Sequence, residues 1–420
     1  MAFQWVRQFR TTTPLDNPAR LLQRWWASTI MKQIKIPAVF MRGGTSKALV
    51  FQRKDLPADQ AAWESIFLSA IGSPDPYARQ LDGMGGGVTS LSKVCIVGPP
   101  SRQDADIDYT FAQVPVREQR VEYSTNCGNM SSAMGPFAVD EGLVKVSGNE
   151  ALVRIHNTNT KKIIHSYFAL DDGKAAVDGD VAIPGVSGTG AAVRLEFLSP
   201  GGATTGRLLP TGHVRDSLNV PGVGMIEVSM VDAANACVFV RACDVGLTGI
   251  ELPDAVEANR VAMQKLAAVR AVACVAMGIA RDLTEAATKL SNPAIVIVAP
   301  PMDAQVLSGT PLFESSVDLT ARVLARGQVH RALPLTRTLC MAVAARISGT
   351  LVHEALRPSA DDEIRIGMPS GVLLASANVQ QQDGLWVAER GAFVRTQRRL
   401  FEGQVLVRNR MRSSFLGDTA

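Results

Sequence analysis

The chain lacks most of the short motifs that announce a cofactor or a nucleophile. Its six cysteines, Cys95, Cys127, Cys237, Cys243, Cys274 and Cys340, form no CxxC and no zinc-finger spacing. Its five histidines, His156, His165, His213, His330 and His353, lie far apart and include no HExxH. These absences argue against a preformed metal site, and no cofactor is expected. Gly43-Gly44-Thr45-Ser46-Lys47 carries Ser and Lys in reverse order for a P-loop, and Gly83-Met84-Gly85-Gly86-Gly87 lacks the third glycine of a dinucleotide fingerprint. There is no GxSxG elbow. Nucleotide, flavin and serine-hydrolase readings lose their support.

Charge of one sign is also lacking. With 43 basic and 39 acidic residues the net charge is only +4, too little for a nucleic-acid footprint, although a small basic pocket for an anion stays open. No apolar run reaches the ~18 residues a membrane helix needs. A disulfide framework is not expected in so large a chain, which points to a reducing, cytoplasmic compartment. What is present is core material: 420 residues, 46% hydrophobic, enough for two domains. Residues 1–31 stand apart, rich in arginine with one acid (Asp16) and a Trp25–Trp26 pair. They read as a targeting peptide or an upstream extension with Met31 as the natural start.

From Lys32 the pattern becomes regular. Ile34–Leu49 reads as strand, Gly-rich turn and strand, and Asp59–Ile71 as a helix stopped by Ser73-Pro74-Asp75-Pro76. Lys93–Val97, Ile107–Pro115, Gln119–Tyr123, Leu152–Ile155 and Lys162–Phe168 read as strands, with a helix at Gly128–Asp140. A Gly/Pro-rich stretch over 185–225 marks the domain boundary. Beyond it, strands are expected at Met225–Val231, Cys237–Arg241, Ala294–Ala299, Gly371–Ala375, Leu385–Glu389 and Gln404–Arg408. Helices are expected at Ala258–Ala280, Val317–Arg326 and Pro334–Ile347. Each half thus shows short strands and one mostly apolar helix, and strands wrapped around that helix would bury it on all sides.

Three segments rich in glycine and polar side chains suit carboxylate recognition: Arg42–Lys47, Asp82–Lys93 and Asn126–Ser132. Glycine lets backbone N–H groups approach a ligand, and hydroxyl, amide and basic side chains add donors. Cys127 precedes an expected helix, where free N–H groups would stabilise a thiolate; the alternative is a buried, inert thiol. The other five cysteines sit in apolar runs and read as inert. Lys93 joins a polar loop to the apolar run Val94–Val97, where partial desolvation would make it a base; the alternative is an ordinary exposed lysine. His330, before Arg331 at an expected helix end, reads as a substrate contact or a helix cap.

Met41–Lys47, Gly72–Pro76, Asp82–Gly86, Asp108-Tyr109 and Asn126–Asn129 follow the order seen in the PrpF family. Weaker matches continue through Pro210–Gly212, Ala299–Pro301, Gly349–Val352, Pro369-Ser370-Gly371 and Arg399–Gly403. Over residues 33–410 the chain resembles that family. The resemblance implies an α/β (α+β) fold like diaminopimelate epimerase: two similar domains, strands around a central helix in each, and a cleft between. The expected division is 1–31 extension, 32–200 first domain, 201–410 second domain and 411–420 tail. The resemblance implies a cofactor-independent isomerase of small unsaturated polycarboxylates, with Lys93 as catalytic base and Cys127 in the same site. Substrate contacts are expected from Thr45, Ser46, Gly85, Gly86, Ser92, Asn126, Gly128, Asn129, His330 and Ser370. The apolar helix of the second half has no cysteine at its mouth, Cys340 falling inside it, so an allylic isomerisation fits better than two-thiol racemisation. 2-Methylaconitate or aconitate is the expected substrate, with 4-oxalomesaconate second. A homodimer and coupling to an aconitase-like dehydratase stay open, as does a non-catalytic role beside an iron–sulfur dehydratase.

Overall fold

The computed structural model describes residues 33–124, 126–358 and 362–408; the expected extension at 1–31 and tail at 411–420 lie outside the described residues. Gln33–Gly43 (β1) and Ser46–Gln52 (β2) form the expected hairpin. Trp63–Ile71 (α1) leads to Lys93–Gly98 (β3), parallel to β2, and Ile107–Gln113 (β4), antiparallel to β3. Gly128–Asp140 (α2) then precedes Glu150–Asn157 (β5), parallel to β4, followed by Lys162–Asp171 (β6) and Val193–Leu198 (β7).

The second half repeats this order. Gly224–Ala233 (β8) and Asn235–Arg241 (β9) form a hairpin, Arg260–Ala276 (α3) crosses over, and Ala294–Ala299 (β10) lies parallel to β9. Leu319–Ala325 (β11) runs antiparallel to β10, Leu335–Ala345 (α4) follows, and Glu363–Met368 (β12) lies parallel to β11. Gly371–Gln382 (β13), Leu385–Arg395 (β14) and Gln397–Arg408 (β15) finish the described chain. A matched pair of surface clasps marks the repeat. Arg154 of β5 grips Asp106, just before β4, through its N, Nε and Nη2 at 2.7, 3.2 and 2.6 Å. Arg365 of β12 grips Asp318, just before β11, through the same atoms at 2.7, 3.3 and 2.6 Å. The halves are stitched together, since β14 pairs with β7 and β15 pairs with β1.

Each half wraps strands around one helix. Residues Gly128–Val139 of α2 and every residue of α4 are buried. The small residues of α2 make this close packing feasible: a Cβ on Gly135 would lie 2.6 Å from Ser166 Oγ of β6. A helix enclosed on all sides shows no clear polar face, and Gly-Asn-Met-Ser-Ser-Ala-Met-Gly has none. The architecture is a mixed α/β fold with a large mixed sheet and two enclosed helices. Among the described residues no helix is long and apolar enough to cross a membrane.

Several expectations are corrected. Val317–Arg326 is not helical but contains strand β11, with both faces buried. Its sequence fits either period; what selects the strand is pairing with β10 and β12, while Arg322 on the buried run donates to the carbonyls of Glu251 and Ala321 at 2.6 and 2.8 Å. His330 therefore caps no helix. It follows the two-residue strand Gln328–Val329 and its N–H donates to Val323 O at 2.9 Å. Gln119–Tyr123 makes only a bridge, Gln113 to Glu122. The helix expected over Ala258–Ala280 starts only after Asn259, whose side chain accepts from Ala262 N, and ends at Ala276; its Val261 faces solvent. Cys243 is exposed, unlike the other cysteines.

Candidate active site

The two enclosed helices meet by their N-termini. A Cβ on Gly128 would come 2.8 Å from Leu335 Cβ and 3.4 Å from Thr336 N, so only glycine lets the ends approach this closely. The first-turn N–H groups of an α-helix have no intrahelical acceptor, and the helix dipole places partial positive charge there. Two such ends facing one point create a site for an anion. Asn235 ties the ends together, its Nδ2 donating to Thr336 Oγ1 at 2.6 Å and to Asn126 O at 3.3 Å. Asn126 is further fixed by Asn157 Nδ2, which donates to its Oδ1 at 3.0 Å.

Cys127 holds the N-cap position of α2, 8% exposed, and its side chain makes no capping bond. Pro334 holds the corresponding position of α4. Behind Cys127 lies Cys95 of β3, whose Sγ donates to the buried Tyr109 Oη at 3.7 Å. Burial pushes the Cys95 thiol up, with the neighbouring Cys127 adding to it and Lys93 opposing it. Cys95 thus sits beside both expected catalytic residues.

Lys93, the first residue of β3, is buried. Its Nζ donates to Gln113 Oε1 at 2.8 Å and lies 5.0 Å from the centre of the Phe111 ring. Gln113 is itself oriented, since its Nε2 donates to Ser92 O at 2.9 Å and Thr89 O at 3.2 Å. The turn from β1 to β2 presses on α2: Asn129 Nδ2 donates to Thr45 Oγ1 at 3.0 Å, and Thr45 N reaches Asn129 Oδ1 at 3.5 Å. Gly44, at φ +51°, is required there because a Cβ would overlap the Asn129 side chain. Ser46 is buried at the start of β2.

The second half faces this group with His330, Arg337 and Ser370. His330 keeps a partly accessible edge while dense protein surrounds it. Burial, then the charges of Lys93 and Arg337, lowers its pKa to about 4, so its imidazole is neutral at pH 7. Arg337, in the first turn of α4, is 6% exposed. It donates only to neutral acceptors, namely Asn292 Oδ1, Ser291 O and Ala236 O at 2.9, 2.7 and 3.2 Å. Ser370 Oγ is buried without a partner. A Cβ on Gly185 would lie within 3.5 Å of Thr45 Cγ2, 3.7 Å of Ala332 Cβ and 3.9 Å of Ser370 Oγ, so these residues converge.

Thr45, Lys93, Cys127, Gly128, Asn129, His330 and Ser370 therefore gather around the two helix ends. Gly85 and Ser92 are committed elsewhere. Gly85 N donates to Ile71 O at 3.0 Å, and the Ser92 hydroxyl lies fully buried against Gln80 Oε1 at 2.7 Å and Val88 O at 2.8 Å. Gly86 is exposed against Leu91. These three shape the loop that delivers Lys93. Sequence reasoning missed Gln113, Arg337, Asn235 and Gly185. Arg337 carried one signal, a cation in the mouth of an otherwise apolar helix; the other three carried none. Among the described residues no cluster of His, Cys, Asp or Glu is arranged to hold a metal.

An epimerase-like mixed α/β fold, with Lys93 and Arg337 gathered at the meeting point of two enclosed helices, defines an isomerase of acidic small molecules as the class. The PrpF protein family matches residues 33–408. The 3-methylitaconate isomerase of Eubacterium barkeri is 43% identical over 378 residues, 89% of this chain and 98% of that protein. The 2-methyl-aconitate isomerase of Shewanella oneidensis is 38% identical over 386 residues, 89% of this chain and 97% of that protein. A solved methylitaconate-delta-isomerase superposes with TM-score 0.75 at 42% identity, covering 90% of this chain and 96% of the other. A hydroxyproline epimerase from Agrobacterium vitis shares the fold, with TM-score 0.51 at 11% identity over 90% and 94% of the two chains. The chain belongs to the PrpF family and is an isomerase.

Proposed function

We propose that the enzyme shifts an allylic proton in a small unsaturated polycarboxylate without a cofactor, and that 2-methylaconitate (or aconitate) is its substrate. The observation that carries this reading is the head-to-head meeting of two helix N-termini beside Lys93, Arg337 and a neutral His330. Carboxylates of the substrate take the first-turn N–H groups of α2 and α4 and the hydroxyls of Thr45 and Ser370. Lys93, as the free amine, removes the allylic proton and becomes an ammonium. The electron pair of the broken C–H bond spreads through the former double bond into a carboxylate, and the helix ends stabilise the dienolate. While delocalised, the former double bond has reduced order and rotates. The ammonium of Lys93 then returns its proton to carbon. Return by the Cys127 thiol instead leaves a thiolate, which Lys93 reprotonates.

A specific observation favours a second substrate in the same class: the relative at 43% identity is named for 3-methylitaconate. Both substrates are methyl-bearing, and the same proton transfer serves either. The reading treats the two repeats as lobes, near the 32–200 and 201–410 division, with β14 and β15 lent to the first lobe's sheet. It extends to a cytoplasmic enzyme, to a homodimer, and to work beside an aconitase-like dehydratase. Proton NMR of the purified protein with 2-methylaconitate in D2O, with no dehydratase present, tests it. Isomerisation with deuterium incorporation is expected, lost in Lys93→Ala. Near-normal turnover in Lys93→Ala would remove Lys93 as the base.

A further inference from the structure

A cavity of about 590 Å³ lies against β7, β13 and β14, and none of the active-site residues above lines it. Arg395, the last residue of β14, does line it and is only 6% exposed. Its Nη1 donates to the carbonyl of the adjacent Val394 at 2.7 Å, and its Nε is buried with no acceptor. Burial alone lowers its pKa, to about 10, and no charged group bears on it; it remains a cation at neutral pH. The other arginines of the wall differ. Arg194 is paired with Glu196 and stacks 4.1 Å over Tyr167, and Arg390 is exposed.

A buried guanidinium without a counter-ion carries a large desolvation penalty, and an orphaned buried donor calls for an acceptor. A carboxylate fits, because the planar fork of arginine donates to both of its oxygens. The volume is in the range of small-molecule pockets. Ile183, Pro184, Val372 and Val394 supply apolar wall, while Asp362 and Glu363 would repel a second carboxylate. A polycarboxylate of the Lys93 cleft is therefore a poor occupant.

We infer that Arg395 and this cavity form a second organic-acid site, separate from the Lys93 cleft, for a small monocarboxylate with an apolar body. The carboxylate meets the Arg395 guanidinium and the body lies on Ile183, Pro184 and Val372. The inference does not rest on the substrate proposed for the cleft.

Calorimetric titration of the full chain with butyrate tests it, with butyramide as the neutral control. Butyrate is expected to bind wild type and Lys93→Ala equally, and butyramide at least about tenfold more weakly. Arg395→Gln removes the charge, and Ser376→Trp fills the cavity from β13 while leaving Arg395 in place. Each is expected to weaken butyrate at least about tenfold. If Arg395→Gln does not fold, Ser376→Trp decides alone. Wild type that fails to bind butyrate overturns the inference, as does undiminished binding in a folded Arg395→Gln or in Ser376→Trp. Loss of binding in Lys93→Ala places the probe in the catalytic cleft and overturns it too.

Discussion

Gly128 and Leu335 touch across the two halves of the molecule: a Cβ on the glycine would lie 2.8 Å from the leucine Cβ. Gly128→Ala must push the two helix ends apart or tilt one of them. Overpacking of this kind costs about 1–3 kcal/mol. We expect a lower urea midpoint and, because the displaced groups are the anion-binding N–H groups, a raised KM. An unchanged KM in a folded Gly128→Ala would mean that the helix ends do not bind the substrate.

Gln113 should act as a positioning residue for Lys93. Gln113→Leu keeps the volume and removes the acceptor at 2.8 Å. The expected result is a kcat at least about tenfold lower, roughly 1.4 kcal/mol of barrier, with little change in KM. Gln113→Glu places an anion beside the amine, favours its protonated form and should move the acidic limb of activity to higher pH. A pH–rate profile separates this from a merely structural loss.

His330 gives a pH signature. Its folded pKa, about 4, lies below the ordinary value near 6.5. Below pH 6.5 the unfolded chain takes up a proton that the folded chain refuses. The associated stability is present above about 6.5 and is lost as pH falls towards 4. Urea denaturation at pH 7 and pH 4.5 should show a smaller loss for His330→Gln than for wild type. In proton NMR the His330 ring should not titrate between pH 5.5 and 8, and a midpoint near 6.5 would contradict the buried, neutral assignment.

Substrate choice is open to direct measurement. A methyl-bearing acid needs a small apolar niche, whereas 4-oxalomesaconate needs further donors for its oxalyl arm. We expect kcat/KM for 2-methylaconitate or 3-methylitaconate to exceed that for 4-oxalomesaconate by tenfold or more, about 1.4 kcal/mol of discrimination. The reverse ratio would reassign the substrate and leave the proton-transfer residues in place.

Local signals in the sequence were legible where one face or one residue type decided the outcome. The Gly43–Ser46 turn, the all-buried strand Ala294–Ala299 and both enclosed helices follow from composition alone. Leu319–Ala325 did not, because its apolar spacing serves helix and strand equally and only its two neighbouring strands choose. The same distinction applies to the site. Cys127 and Asn129 share a recognisable segment with a helix start. Gln113 and Asn235, each a single polar residue at the end of a buried strand, gain meaning only when folding brings Lys93 and Thr336 to them. The loop from Asp82 to Ser92 misled in one respect: its Gly85 amide and Ser92 hydroxyl are spent within the first lobe's own loops.

The pairing of β1 with β15 runs from Gln33 opposite Arg408 to Gly43 opposite Gln397. During synthesis, then, the first lobe emerges with an open sheet edge that only the last stretch of the described chain can close. The lobe carrying Lys93 and Cys127 cannot complete its sheet until the ribosome has passed residue 408. A nascent chain stalled before residue 397 should hold its second repeat's central hairpin in native form while the reactive lobe remains accessible to proteases. Translation order thereby postpones the chemistry until both walls of the cleft exist.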